Sequence, residues 1–190
     1  NRFIQSAFEN GGSVRIASLS CANTTWIEGT GEDLDFSPEI LRTLSDPTLA
    51  PMVLYPTTDA TPLESISRAE IPAGRRLALF VIDGTWYQAK QMVRRSLLLS
   101  TLPKVSFSTT KVSEYGFRKQ PAEHCLSSVE AVHLAIDAFQ KSPLASTDLD
   151  RQHDQMIEIF RRMVRIQQES SIGSRSLRIL AHQGSLKKPV

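Results

Sequence analysis

Apolar residues run without a polar break through Leu77-Ala-Leu-Phe-Val-Ile82, and the pattern then changes to helical spacing through Trp86, Ala89, Met92, Val93 and Leu97. A short unbroken apolar run reads as a buried strand of a parallel sheet, and a spacing of three and four reads as an amphipathic helix. The first pattern predicts a strand over 76–82, opened after Gly74. Three further strands are predicted at Val14-Arg-Ile-Ala-Ser-Leu19, Met52-Val-Leu-Tyr55 and Lys104-Val-Ser-Phe107. Pro38-Glu-Ile-Leu-Arg-Thr-Leu44 predicts a helix entered through Ser37 and Pro38. Thr61-Pro62-Leu63 has the form of another helix start, running weakly to Glu70. Val129, Val132, Ile136 and Phe139 form the stripe of a helix over 128–139, and Met156, Ile159, Phe160, Met163 and Ile166 that of a helix over roughly 149–168. The stretch 108–124 has no period and reads as a long loop, a class of segment that is often functional.

Strands alternating with helices predict an α/β fold with a mainly parallel sheet flanked by helices. The chain of 190 residues suits one domain. With no internal repeat and no second apolar core, that domain is expected over residues 1–170, followed by a polar, basic tail over 171–190 without regular structure. The opening Asn1-Arg-Phe3 lacks an initiator Met and suggests a shortened amino-terminal part. Two cysteines, Cys21 and Cys125, stand outside any Cys-x-x-Cys frame and encode neither a zinc site nor a disulfide framework, which suits a reducing, cytoplasmic setting. No apolar run approaches the length of a membrane span, so no membrane partner is expected.

Charge adds a direction. Residues 1–74 carry 4 Lys/Arg against 10 Asp/Glu, whereas residues 75–119 carry 9 against 2. The basic excess therefore surrounds Asp83-Gly-Thr-Trp86, which follows the central apolar run. Open α/β sheets bind ligands at the carboxyl ends of their strands, and a basic surround suits a phosphate-bearing partner. Each residue of the motif also has an ordinary reading: Asp83 as a helix cap and Trp86 as a core anchor. Ser127-Ser-Val-Glu130 is a capping box, and the helix start it marks is also a natural seat for an anion. Arg118-Lys-Gln-Pro121 adds donors just upstream. Gly29-Thr-Gly31 fails as a dinucleotide fingerprint, because a third glycine is missing and acidic residues follow. His124, His133, His153 and His182 are scattered and read as structural or exposed, with His124 set apart by its place in the long loop.

Taken together these motifs resemble the DTW-domain family. Asp83-Gly-Thr-Trp86 matches its Asp-x-Thr-Trp signature, Tyr55-Pro56 its earlier strand-end Tyr/Phe-Pro, and Arg118-Lys-Gln-Pro121 with Leu126-Ser-Ser-Val-Glu-Ala131 its Arg-x-x-Pro and Leu-Ser-Thr-x-Glu-Ala pair. The likeness spans about residues 50–165. Ser128 replaces the threonine of the last motif and keeps the hydroxyl. The cysteine-bearing segment of many members is absent, so no metal is expected.

The resemblance implies a tRNA-uridine 3-(3-amino-3-carboxypropyl)transferase that uses S-adenosylmethionine as co-substrate, with a SPOUT-like fold and a carboxy-terminal trefoil knot. It also implies roles. Asp83, desolvated by Trp86, becomes the catalytic base for uridine N3 or else orients the donor's amino group. Leu54, Tyr55, Pro56, Gly84, Thr85, Leu126, Ser127, Ser128 and Glu130 become the donor site, and Lys90, Arg94, Arg95, Arg118 and Lys119 become contacts to tRNA. The rival readings are a SPOUT-type methyltransferase with a different donor pose and a non-catalytic RNA-binding module.

Overall fold

The buried strand that the apolar run predicts lies inside the sheet, with Leu77, Ala78, Leu79, Phe80 and Val81 all buried. A computed structural model of the chain describes residues 2–7, 12–114, 126–145 and 150–184, with side chains described over 13–114, 126–145 and 150–170. In chain order the strands are β1 (Arg2–Ala7), β2 (Thr24–Glu28), β3 (Leu49–Leu54), β4 (Thr61–Pro62), β5 (Arg76–Ile82) and β6 (Lys104–Ser106). The helices are α1 (Gly12–Ser20), α2 (Pro38–Ser45), α3 (Trp86–Arg95), α4 (Leu97–Thr101), α5 (Ser128–Gln140) and α6 (Asp154–Gly184). All strand pairs run parallel, in the order β2-β1-β5-β3-β6-β4. The expected α/β architecture with a parallel sheet is therefore present.

Period-two alternation on the sheet sorts its residues into two layers. Leu77, Leu79 and Val81 of β5 and Met52 of β3 pack with Val129, Val132 and Ile136 of α5 and with Met156, Phe160 and Val164 of α6. Phe80 and Val53 face the other way, toward Leu34, Ile40 of α2, Met92 of α3 and Leu99 of α4. Thus α3 and α5 cover opposite faces of β5. The strands β5, β3 and β6 are neighbours, so their carboxyl ends lie side by side.

Several expectations change. Residues 14–19 form helix α1 instead of a strand. Val14 and Ala17, three apart, are buried while Leu19 is exposed, and the alternation of Val14 and Ile16 with polar residues had imitated a strand. The helix expected from Thr61 is a two-residue strand followed by a single 3-10 turn over Leu63–Ser65. As an edge strand it tolerates Pro62, which lacks the N–H a central ladder needs. The pattern named neither β1 nor β2, yet β1 is central and pairs with both β2 and β5. Helix α6 continues to Gly184, through much of the tail expected to be irregular. No helix among the described residues is long and apolar enough to cross a membrane.

Candidate functional site

Strand β5 ends at Ile82, and the chain leaves it through Asp83 and Gly84 before α3 begins. Gly84 has φ of +144°, a region that side-chain-bearing residues rarely adopt, and a Cβ there would stand 3.2 Å from Gln88. The sharp turn lets Thr85 cap α3. Its hydroxyl accepts from the Gln88 amide at 3.2 Å, while Gln88 Oε1 accepts from the Thr85 amide at 2.8 Å. Capping therefore belongs to Thr85, and the ordinary reading of Asp83 as the helix cap is set aside.

Asp83 instead lies buried, 8 % exposed, where its Oδ1 accepts a hydrogen bond from the hydroxyl of Ser128. Ser128 opens α5 on the opposite face of β5 from α3, so the bond joins the starts of two helices across one strand end. The carboxylate is thus fixed in direction, which a catalytic or orienting role requires.

Beside this pair is a cavity of about 580 Å³. Three strand ends and two helix starts line it: Leu54, Tyr55 and Pro56 after β3, Val81, Ile82 and Gly84 at β5, Ser106 and Phe107 at β6, Trp86 and Ala89 of α3, and Leu126, Ser128 and Ala131 at α5. Its walls are mainly apolar, with a few polar groups among them such as Tyr55, Ser106, Thr109 and Ser128, the usual form of a small-molecule site. Trp86 is 39 % exposed and does not anchor the core; its ring centroid stands 6.5 Å from that of Tyr55 at an interplanar angle of 50°. The Tyr55 amide donates to the Val105 carbonyl at 3.0 Å, which holds the strand-end Tyr-Pro at the rim.

Of the residues predicted for this site, the cavity is lined by Leu54, Tyr55, Pro56, Gly84, Trp86, Leu126 and Ser128. Asp83 reaches it through Ser128. Thr85, Ser127 and Glu130 do not line it, and their polar atoms are engaged in capping. Glu130 is buried and accepts from the Ser127 amide at 2.7 Å, the Ser127 hydroxyl at 2.6 Å, the Ser113 hydroxyl at 2.7 Å and the Glu114 amide at 2.7 Å. It pins the segment before residue 115 to α5 and so shapes the site from behind. Glu114 in turn accepts two bonds of 2.7 Å from Arg161 of α6, and that guanidinium holds its carboxyl below the ordinary range. Lys90, Arg94 and Arg95 are exposed on α3. Arg118, Lys119, Pro121 and His124 lie outside the described residues.

Sequence spacing missed one cluster. His133 and His153, read as scattered, meet where α5 packs on α6. His133 Nε2 is 2.7 Å from Asp154 and His153 Nε2 is 2.7 Å from Asp137. His133, Asp137 and His153 each bring a donor atom within 4.8 Å of the others. The carboxylates there also bind Arg151, at 2.7 Å to Asp154 and 3.4 Å to Asp137, so a metal ion would have to compete with a guanidinium. Burial raises the Asp137 carboxyl, but the bond to His153 and the surrounding positive groups more than offset it, leaving it below its ordinary value. Asp154 is held far below, by Arg151 first and His133 second. Only a twenty-residue separation bridged by tertiary packing makes this cluster, and no local motif announces it.

A DTW domain is matched across residues 7–168. Two relatives are both called tRNA-uridine aminocarboxypropyltransferase 2. The one from Drosophila melanogaster is 35 % identical over 92 residues, 48 % of this chain and 35 % of that protein. The one from Mus musculus is 32 % identical over 93 residues, 48 % of this chain and 30 % of that protein. The matched stretch thus spans about a third of these curated relatives. No solved structure matches. The breadth of the domain match, and its inclusion of the Asp83 turn and the Ser127-Ser128 helix start, establish that the chain belongs to the DTW-domain family.

Proposed function

We propose that the chain transfers the 3-amino-3-carboxypropyl group of S-adenosylmethionine to N3 of a tRNA uridine. The names of its relatives support the reaction class, and one observation carries it to these residues. A buried carboxylate, flanked in the chain by Ile82 and Gly84 of the cavity wall, is fixed by Ser128, which lines that apolar cavity at three adjoining strand ends. An adenine and ribose suit the apolar space between Tyr55, Leu54 and Trp86. The amide groups at the start of α5 suit the donor's carboxylate, because a helix amino end offers unpaired N–H groups and positive potential.

The chemistry closes on this arrangement. Asp83 takes the N3 proton of uridine, N3 forms a bond to the γ-carbon of the donor's aminocarboxypropyl chain, and the bond from that carbon to sulfur breaks. Its electron pair returns to sulfur, and neutral methylthioadenosine leaves. Attack at the γ-carbon instead of the methyl is a matter of pose, which the two seats at opposite ends of the donor set. Asp83 serves as the base, and Trp86 excludes water beside it. Lys90, Arg94, Arg95, Arg118 and Lys119 are assigned to tRNA phosphates. We assign the parallel sheet to the SPOUT class, with the carboxy-terminal knot that class implies.

Nucleoside mass spectrometry of tRNA incubated with the protein and S-adenosylmethionine tests the function. Aminocarboxypropyl-uridine and methylthioadenosine are expected together. A methylated nucleoside with S-adenosylhomocysteine, or no adduct from a protein that binds the donor, would overturn it.

A further inference from the structure

Helix α3 turns by about 100° per residue, so its positions sort cleanly by face. Trp86 and Ala89 line the cavity, and Met92 and Val93 are buried behind them. Next to that face lies a second stripe, Tyr87, Lys90 and Arg94, at spacings of three and seven. All three are exposed, and Tyr87 is 73 % exposed. Gln91 completes the stripe, and its Oε1 accepts from Arg94 Nη2 at 3.0 Å, which steers the guanidinium along the helix. Arg95 belongs elsewhere: a Cβ added to Gly31 would stand 2.8 Å from its Cβ, so its stem packs over the 3-10 segment that begins at Gly31. The half-exposed Trp86 joins the stripe to the mouth of the cavity.

A large aromatic ring open to solvent, followed along one helix face by two cations and adjoining a ligand cavity, matches the chemistry of single-stranded nucleic acid. Rings stack with unpaired bases, and cations at the pitch of a helix turn follow the backbone. A duplex hides its base faces and offers Tyr87 nothing to stack on. The acceptor must itself be unpaired, since N3 of uridine is consumed in a base pair.

We propose that Tyr87, Lys90 and Arg94 hold the unpaired nucleotide that flanks the target uridine, its base stacked on Tyr87 and its phosphates on the two cations. This rests on the transferase reading given above. The stripe then selects an RNA loop over a helical stem and sets the register in which the uridine enters beside Asp83.

The full chain, tRNA and a short oligouridine with its blunt duplex counterpart supply the test. Tyr87→Ala is expected to raise KM for tRNA by about 5- to 100-fold, with Tyr87→Phe near the parent value and the affinity for S-adenosylmethionine unchanged in both. Lys90→Ala with Arg94→Ala is expected to flatten the dependence of log K on log salt for oligouridine by about 1.4. Tyr87 is solvent-exposed, so melting temperatures should stay within a few degrees, which confirms that each variant is folded. If the parent modifies tRNA and Tyr87→Ala does so with the same KM, the stacking role is overturned. Equal binding of duplex and oligouridine would overturn it as well. If the parent binds oligouridine through Tyr87 but forms no adduct, the transferase reading fails while the RNA-binding stripe stands.

Discussion

Two regions of the molecule hold hydrogen-bonded carboxylates, buried at Asp83 and part-exposed at Asp137 and Asp154, and they use them in opposite ways. At the carboxyl rim of the sheet, Asp83 accepts the hydroxyl of Ser128, a residue that lines an apolar cavity of about 580 Å³. Where α5 packs on α6, Asp137 and Asp154 are enclosed by His133, His153 and Arg151, with contacts of 2.7 Å to both histidines and to the guanidinium. The second region has carboxyls drawn below their ordinary values by charged partners, yet its charges are turned on one another. Perturbation by itself therefore does not mark a site. Open space borders both, since His153 lines one cavity and His133, Arg151 and Asp154 line another. What separates them is that the carboxylates of the second region are taken up by a guanidinium and two histidines, while the cavity beside the Asp83–Ser128 pair is walled mainly by apolar groups.

The strongest way to break this comparison is to remove each carboxylate charge in turn. Asp83→Asn is expected to lower the rate of tRNA modification by about 10²- to 10⁴-fold, the usual span of a lost general base. Binding of S-adenosylmethionine by calorimetry and the melting temperature should stay close to the parent's. Near-normal modification by this variant would remove Asp83 from the chemistry. Asp137→Ala should do the reverse. It strips His153 of its bonded acceptor and is expected to cost about 1–3 kcal/mol of stability in urea unfolding, with little change in rate at a temperature where the variant is folded. A variant of Asp137 that loses activity while keeping its stability would erase the distinction between the two regions.

The rim was legible in the sequence because its determinants are local. An apolar run names β5 and the capping box of Ser127 with Glu130 marks the start of α5, whereas the box of Thr85 with Gln88 that starts α3 went unread, its place given to Asp83. Even so, spacing gave no sign that Ser128 bonds Asp83, because the contact crosses 45 residues and depends on both helices packing against one strand. The α5–α6 region was illegible for the same reason. Each histidine is unremarkable on its own helix, and only packing brings the rings to 4.8 Å. Strands β1 and β2 failed differently. Arg2-Phe-Ile-Gln-Ser-Ala7 and Thr24-Thr-Trp-Ile-Glu28 carry neither a clean alternation nor an unbroken apolar run, and their strand state comes from neighbours already in the sheet. In α1 the branched residues Val14 and Ile16 favoured the wrong period, which the burial of Val14 with Ala17 then decided.

Ser128 sharpens the comparison from the other side. A hydrogen bond to a charged group is worth about 1.5–3 kcal/mol, so Ser128→Ala is expected to lower kcat by about 10- to 100-fold if the hydroxyl aims Asp83. Ser128→Thr keeps the hydroxyl and should restore most of the loss. A rise in the dissociation constant for S-adenosylmethionine with kcat unchanged would instead make Ser128 a donor contact.

The smallest effect is one of pH, and it is read at the helix-packing region. Asp154 has its carboxyl held below the ordinary value by Arg151 and His133, and Asp137 is lowered as well. A carboxyl depressed in the folded state binds protons more readily once unfolded. Its stabilisation is therefore complete above the unfolded pKa of about 3.9 and fades as pH falls toward the folded value. Asp154 is largely open to solvent, so screening keeps its share modest. Asp154→Asn should melt below the parent at pH 7, and the gap between them should narrow steadily as the buffer is taken from about pH 5 to pH 3. A gap that stays constant across that range would mean that the carboxylate contributes by shape and not by charge, and that the charged network does not hold α6 to α5.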